Sequence, residues 1–425
     1  MSIIIKNATI ITQNDQREII KGDIRIDGNS ISEIGEKIES NNPEYLIDAT
    51  GKIAIPGLIN AHTHVGMTIF RGYGEDLPLH RWLEEKIWPI EARQTAKDAG
   101  IAARLSFCEM IKSGTTSFAE MCLHDTHGIF SAANEVGMRG IISRGIMDFN
   151  HPQWIPKIMR EIESSLQYSG DTLLPSVSAH APYTCSEELL LKTKELAKRK
   201  KLKYQIHVSE TRKEIFEILN KTGKYPYEYL DSIGLMDSDS IFAHGGWLTK
   251  KEMVLAASRN LNVASCPISN MKLATGGICQ ISELDKAGAT VTLGTDGAAS
   301  NNSLNMFETM KMAALLQKHH YWKADVISNQ RILDFATING AKALGVNGGS
   351  LSKGKLADIV LLERGPNMFP EHDIVANIIY AAGPQNVSDV IINGKVVMQE
   401  RKILTVNEGE VIRAADELAK EILSR

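Results

Sequence analysis

The chain has 425 residues, a formal net charge of −4, and 43% hydrophobic and 23% charged residues: an ordinary globular profile, long enough for one large domain and a smaller one. No basic stripe suits nucleic acid, and no apolar run approaches the roughly 20 residues of a membrane span. Five scattered cysteines without a C-x-x-C pair argue against a disulfide frame, and the start MSIIIKNATIITQND is unlike a signal peptide, so a cytoplasmic location is expected.

The first 55 residues read as β-structure. IIIKNATIIT, GDIRIDGNSISEIG and YLIDATGKIAIPG are β-branched runs broken by Asp-Gly, Asn and Gly turn signals. PGLINAHTH follows, where LINA predicts a short buried strand. His62 and His64, two apart on it, leave from one face. Two imidazoles there can grip one cation or simply pack. Residues 65–114 then intervene, far more than a strand-helix-strand step needs. Their segment RGYGEDLPLHRWLEEKIWPIEAR carries two tryptophans and many charges, as a loop that covers or shapes a pocket does.

Strand-helix alternation comes next. Strands are predicted at 58–64, 115–121, 140–148, 174–182, 203–210, 240–247, 262–270 and 289–296. Helices are predicted between them at AARLSFCEMIKSG, IFSAANEVGM, EELLLKTKELAKRKK, KEMVLAASRN and ISELDKAG, and after them at LNMFETMKMAALLQKHH and ILDFATINGAKALG. The pattern predicts an α/β fold, a (β/α)8 TIM barrel over 57–347. A doubly wound sheet is the alternative, but no G-x-G-x-x-G follows the first strand. GKLADIVLLE and VSDVIINGKVVMQE return to β texture, with a hairpin signal at Ile392–Lys395. Neither end can bury a core alone. Residues 1–56 and 348–425 are therefore predicted to combine into one small β-sandwich, completed by a C-terminal helix.

The carboxyl ends of barrel strands form the functional face of such a fold. Here they offer His62 and His64, Arg144, His180, His207 with Glu210 three residues on, His244 and Asp296. Any one of these histidines is more often a hydrogen-bonded core residue. Five at one end, with an aspartate, would be costly to bury without a partner ion. Three histidines and a carboxylate suit one divalent ion, Zn2+ first and Fe2+ second, with an open position for a water whose pKa falls to about 7. The expected ligands are His62, His64, His207 and Asp296. LPSVSAHAPYT offers His180 but no lysine to bridge a second ion. Glu210 would stand beside the metal, protonating the electrophile and then helping the leaving group depart; the plain alternative is a helix N-terminal glutamate favoured by the dipole. His244, given space by Gly245 and Gly246, would fix or polarise the attacking hydroxide, and Asp296 could accept the water proton.

Together PGLINAHTH, HVSE, AHGGW and LGTDGAASNN resemble the amidohydrolase superfamily in its mononuclear deaminase branch. GSLSKGKLADIVLLE is similar to the strand that rejoins the small β-sandwich of that superfamily. WLEEKIWPIEA, SRGIMD, SAHAPYTCS and HVSET look closest to the methylthioadenosine/S-adenosylhomocysteine deaminases and the related 5′-deoxyadenosine deaminases. The resemblance runs over essentially the whole chain. It implies hydrolytic removal of the 6-amino group of a 5′-substituted adenosine, in salvage of S-adenosylmethionine by-products. The substrates implied are 5′-deoxyadenosine, 5′-methylthioadenosine, S-adenosylhomocysteine or adenosine, and the products an inosine analogue and ammonia.

The resemblance also implies a homo-oligomer and a set of substrate contacts. Glu91 would hold ribose hydroxyls, with Trp82 beside it on the insert. His180 would meet the sugar or 5′ side, Glu210 the purine N1 and N3 side, and Asp296 both metal and substrate. Arg144 matches an arginine that reaches the substrate in relatives. The plain alternative for Glu91 and Trp82 is an amphipathic lid helix. One departure stands out: relatives that favour S-adenosylhomocysteine can offer a second arginine here, whereas DFNHPQWIPK has none before Arg160. Smaller 5′ groups such as methylthio or hydrogen are therefore expected. The cytidine-deaminase pattern, H-x-E with a later P-C-x-x-C, is absent. The rival readings are another hydrolase of the superfamily acting on a guanine, pyrimidine or triazine ring, and a non-catalytic barrel scaffold.

Overall fold

A computed structural model describes residues 2–39 and 43–425. The β-branched runs at the start form β1 (Ser2–Ile11), β2 (Ile19–Asp27), β3 (Ser30–Gly35), β4 (Tyr45–Asp48) and β5 (Ile53–Pro56). The middle of the chain alternates helices with β6 (Leu58–Thr63), β7 (Thr115–Cys122), β8 (Arg139–Arg144), β9 (Leu173–Pro175), β10 (Val177–Ser178), β11 (Tyr204–Val208), β12 (Ser240–His244), β13 (Asn262–Ser265) and β14 (Thr290–Leu293). After them come β15 (Ile359–Leu362), β16 (Val387–Ile392), β17 (Lys395–Gln399) and β18 (Lys402–Ile403), then the helix Glu408–Ser424.

Strands from both ends share one sheet, in the order β18-β17-β16-β15-β5-β1-β2-β3, with β4 beside β1. The two ends of the chain meet through β15, which runs antiparallel to β5 with Ile359 opposite Pro56. Ile3, Ile5, Ile10, Ile24 and Ile26 from the start pack with Leu361 and Ile391 from the far end. Arg139, at the start of β8, fastens this sheet to the rest: its Nε donates to Asp358 Oδ2 at 2.6 Å and its Nη2 to Asn393 Oδ1 at 3.0 Å.

The middle strands form two parallel sheets, β6-β7-β8-β9 and β10-β11-β12-β13-β14. Every residue of β6, β7, β11 and β12 is buried, as in parallel strands covered on both faces. The sheets abut at two seams. At one, Ser176 N–H donates to Ile142 O at 2.8 Å and Ser178 Oγ–H to Arg144 O at 2.7 Å. At the other, Asp296 N–H donates to His62 O at 3.0 Å, and Asn60 Nδ2–H to Thr295 Oγ1 at 2.7 Å.

Only glycine fits at position 294 of this second seam, because a Cβ there would lie 2.8 Å from His62 O. Gly294→Ala is expected to destabilise the fold by about 1–3 kcal/mol through overpacking. Because the strain falls on His62, it should also lower metal content if that residue is a ligand as the sequence suggests. A urea midpoint and the metal content of the purified variant measure the two effects.

The strands stop earlier than the sequence predicts. Segment 174–182 becomes β9 and β10, with Ser176 between them. Segment 262–270 ends at Ser265, since Pro267 cannot donate to a ladder and opens the helix Pro267–Lys272 instead. Segment 289–296 ends at Leu293, so Asp296 stands in the loop beyond. ILDFATINGAKALG splits into Asn329–Ala336 and Ile338–Leu344 at Thr337, and the helices Ile155–Ser165, Arg212–Thr222 and Pro226–Ser232 lie outside the predicted set.

The insert after β6 folds over the strand ends as Val65–Phe70, then Leu79–Trp82, Leu83–Ile87 and Trp88–Glu91. Met67, Phe70, Trp82 and Ile87 bury into one apolar cluster there. No helix among the described residues is long and apolar enough to cross a membrane. All five cysteines are buried and unpaired.

Candidate metal centre and active site

β6 carries His62, and His64 follows one residue past the strand's end; backbone carbonyls orient the imidazoles of His64 and His207. His64 Nδ1 meets Met121 O at 2.5 Å, leaving Nε2 to face inward, 3.1 Å from Asp296 Oδ1. His207 Nδ1 meets His180 O at 2.7 Å, which turns its Nε2 to within 3.3 Å of His64 Nε2. Bonds of this kind set the tautomer of a metal-ligating histidine. Asp296 Oδ2 accepts from Ser269 Oγ at 2.6 Å and Ser300 Oγ at 2.8 Å, while Oδ1 also lies 3.6 Å from His62 Nε2. The donor atoms of His62, His64 and His207 lie within 4.8 Å of one another, and so do those of His62, His244 and Asp296. The four expected ligands therefore converge, with His244 at their side.

The donor set fits a divalent cation. His62 Nε2 is buried and has no hydrogen-bond partner, an arrangement that is costly when nothing answers the lone pair. Burial lowers the pKa of His62 and of His207, and pushes His244 and His180 down to about 3, so these rings are neutral donors. Burial alone would raise Asp296, but the His62 and His64 imidazoles that face its carboxyl hold it well below the usual carboxylate range. His64 is the exception: Asp296 overcomes the effect of burial and raises it to about 9. A cation held by these residues would take the place of that proton.

Three residues at the ends of β11, β12 and β14 carry positive φ without being glycine: Ser209 at 56°, His244 at 77° and Asp296 at 61°. Such backbone costs on the order of 1–3 kcal/mol each and gathers at functional sites. The turns aim Glu210 and His244 at one another, with Glu210 Oε2 at 3.8 Å from His244 Nε2. Asn270, on the helix that replaces a predicted strand, lies 3.2 Å from His244 Nδ1; with the amide donating, the ring carries its proton on Nε2, towards Glu210. Burial raises the pKa of Glu210 well above the ordinary value, and Asp296 adds to the effect.

A cavity, partly open to solvent, stands over these groups, with the apolar lining and few convergent polar groups of a small-molecule site. His180, His207, Glu210, His244 and Asp296 line it from below, and Trp82, Leu83, Ile87 and Trp88 from the insert above. Glu91 lines its wall, its carboxyl raised to about 7 by burial. Arg144 does not line it: its Nη2 sits 3.2 Å from Glu161 Oε2 on the helix Ile155–Ser165. Arg160, on the same helix, is exposed. Among the described residues, no lysine or arginine lines the cavity.

The structure adds groups that the sequence reading left aside. Glu120 on β7 is fully buried; its Oε2 accepts Val65 N–H at 2.8 Å, its Oε1 has no partner, and burial raises it to about 8. A lone glutamate inside the apolar run TTSFAEM was the available signal. His124, Tyr183 and Ser300 also line the cavity.

The amidohydrolase family matches residues 53–397. A 5′-deoxyadenosine deaminase of Methanocaldococcus jannaschii is 42% identical, with 98% of each chain covered. One of Methanosphaera stadtmanae is 41% identical over 99% of each, and a 5-methylthioadenosine/S-adenosylhomocysteine deaminase of Clostridium tetani is 41% identical over 100% of each. Among solved structures, an adenosine deaminase of Xanthomonas campestris with bound zinc aligns with a TM-score of 0.93 at 28% identity, covering 100% of this chain and 99% of that one. An atrazine chlorohydrolase of Arthrobacter aurescens complexed with zinc aligns at 0.92 and 22% identity, covering 98% and 100%, which shows a shared fold alone.

Proposed function

The chain belongs to the amidohydrolase family, and we propose that it deaminates 5′-substituted adenosines by hydrolysis, releasing ammonia and the inosine analogue. The observation that carries this is the convergence of His62, His64, His207 and Asp296 under a cavity that Glu91 and the tryptophans of the insert enclose. In this reading the two parallel sheets are halves of one (β/α)8 barrel over 57–347, and the two seams support it. Residues 1–56 and 348–425 complete the small β-domain beside it.

His62, His64, His207 and Asp296 would hold one divalent ion, zinc before iron. Bound there, the ion supplies the Lewis acidity that makes water nucleophilic near neutral pH. His244 orients the water, and Asp296 takes its proton as oxygen bonds to C6. Glu210, protonated by virtue of its burial, gives a proton to N1 in the same step. The C6–N6 bond then breaks: Asp296 returns its proton to the amine, which leaves as ammonia, while the C6 hydroxyl proton passes to Glu210 as the C6=O bond forms, restoring both carboxyl groups. Atoms balance as nucleoside plus water giving inosine analogue plus ammonia. Glu91 accepts ribose hydroxyls, His180 meets the sugar and 5′ side, and Trp82 closes the roof.

The specificity follows from the lining. An amino-acid carboxylate on the 5′ group would meet no cation in the cavity, since Arg144 is held by Glu161, and would share it with Glu91 and Glu120. Leaving such a charge unpaired costs about 1–3 kcal/mol, or roughly 10–100-fold. A panel of adenosine, 5′-deoxyadenosine, 5′-methylthioadenosine and S-adenosylhomocysteine, followed by purine absorbance, tests both points. The expected result is one metal ion per chain and higher kcat/KM for 5′-deoxyadenosine and methylthioadenosine than for S-adenosylhomocysteine. Turnover of a guanine or triazine ring with none of the panel would replace this reading with its rival, and a metal-free, inert protein would reject both.

A further inference from the structure

We infer that Glu214 is a positioning residue for Glu210: its carboxylate holds the two backbone amides on which Glu210 is carried. The inference rests on the role given to Glu210 above. Glu214 is fully buried; its Oε1 accepts Ser209 N–H at 2.7 Å and its Oε2 accepts Glu210 N–H at 2.9 Å. Thr211, Glu214 and the residues between them have the pattern of a capping box, and Thr211 Oγ1 does accept Glu214 N–H at 3.2 Å. In that motif the glutamate returns to the N-cap amide. Here it reaches further back, to the two residues that follow β11.

The turn needs this clamp. Ser209 sits at φ 56° and is fully buried, and Glu210 is 6% exposed, so both amides would otherwise be buried donors without acceptors. One carboxyl group, an oxygen to each amide, answers both. The carbonyl side of the turn is tied elsewhere: Val208 O accepts Gly245 N–H and Ser209 O accepts Trp247 N–H, each at 3.0 Å. Glu214 thus completes the seating of Glu210 against the loop that carries His244. His207 is secured independently by His180 O, so the clamp should act on proton transfer and leave the metal in place.

The test is a double-mutant cycle on the metal-loaded enzyme. Glutamine at 214 keeps one acceptor but sets an N–H donor against an N–H donor at the other. Glu214→Gln is expected to lower kcat by about 10–100-fold with metal content and KM unchanged, and to add less than about twofold in a Glu210→Gln background, because the two act as one unit. Ser209→Gly in the Glu214→Gln background is expected to restore part of kcat, since glycine holds φ 56° without strain. Losses that multiply in the double variant, loss of metal in Glu214→Gln, or an unchanged kcat would overturn the inference. A Glu210→Gln single variant with undiminished kcat would instead overturn the role of Glu210, and the clamp with it. Where Glu214→Gln does not fold, Glu214→Asp, too short to reach both amides, is read by the same cycle.

Discussion

Asp296→Ala is expected to abolish turnover, lowering kcat/KM by more than about 10⁴-fold, because in the proposed mechanism one side chain serves as metal ligand and as proton acceptor. The carboxylate is built into the site from both of its oxygens. Oδ1 faces His62 and His64, while Oδ2 is held by the hydroxyls of Ser269 and Ser300. Alanine removes the negative charge that would balance the proposed ion and takes away the carboxylate that both serines contact. Asp296→Asn separates the effects, since it keeps an oxygen for the serines but cannot take a proton. Metal content and kcat/KM measured on both variants check this. Appreciable activity in the alanine variant would remove Asp296 from the mechanism.

Glu210→Gln is the second large effect, an expected loss of about 10²–10⁴-fold in kcat, with metal content kept. Glutamine matches the buried volume and the approach to His244, 3.8 Å away in the parent chain. It can donate a hydrogen bond but cannot give up its proton to the purine ring. Loss of metal from this variant would make Glu210 a ligand rather than a proton carrier.

How legible this site was in the sequence depended on whether a role was local. His62 and His64 share a face because side chains alternate along a strand, and that needs no tertiary knowledge. The order of histidines after successive strands, ending in Asp296, likewise survives the misplaced strand ends, since a residue or two beyond a strand still lies on the same rim. What stayed hidden was set by partners distant in the chain. Arg144 reads as a cavity residue from its place at the end of β8, until Glu161 on a neighbouring helix takes its guanidinium. Asn270 reads as the end of a strand until Pro267 starts a helix and carries it to His244. Glu120 and Glu214 carry no periodic signal, because their significance is a hydrogen bond to a backbone amide that folding brings near.

The sheet shared by the two ends of the chain has a consequence for synthesis. β5 is flanked by β1 on one side and by β15 on the other, and β15 is encoded some three hundred residues after β5. While the ribosome is still extending the middle of the chain, β5 and its isoleucines offer an open edge of the kind that invites pairing with another molecule. The nascent protein must therefore keep that edge apart from its neighbours until Ile359–Leu362 has emerged. A chain released before that point would be poised to aggregate even with every ligand of the metal centre already made.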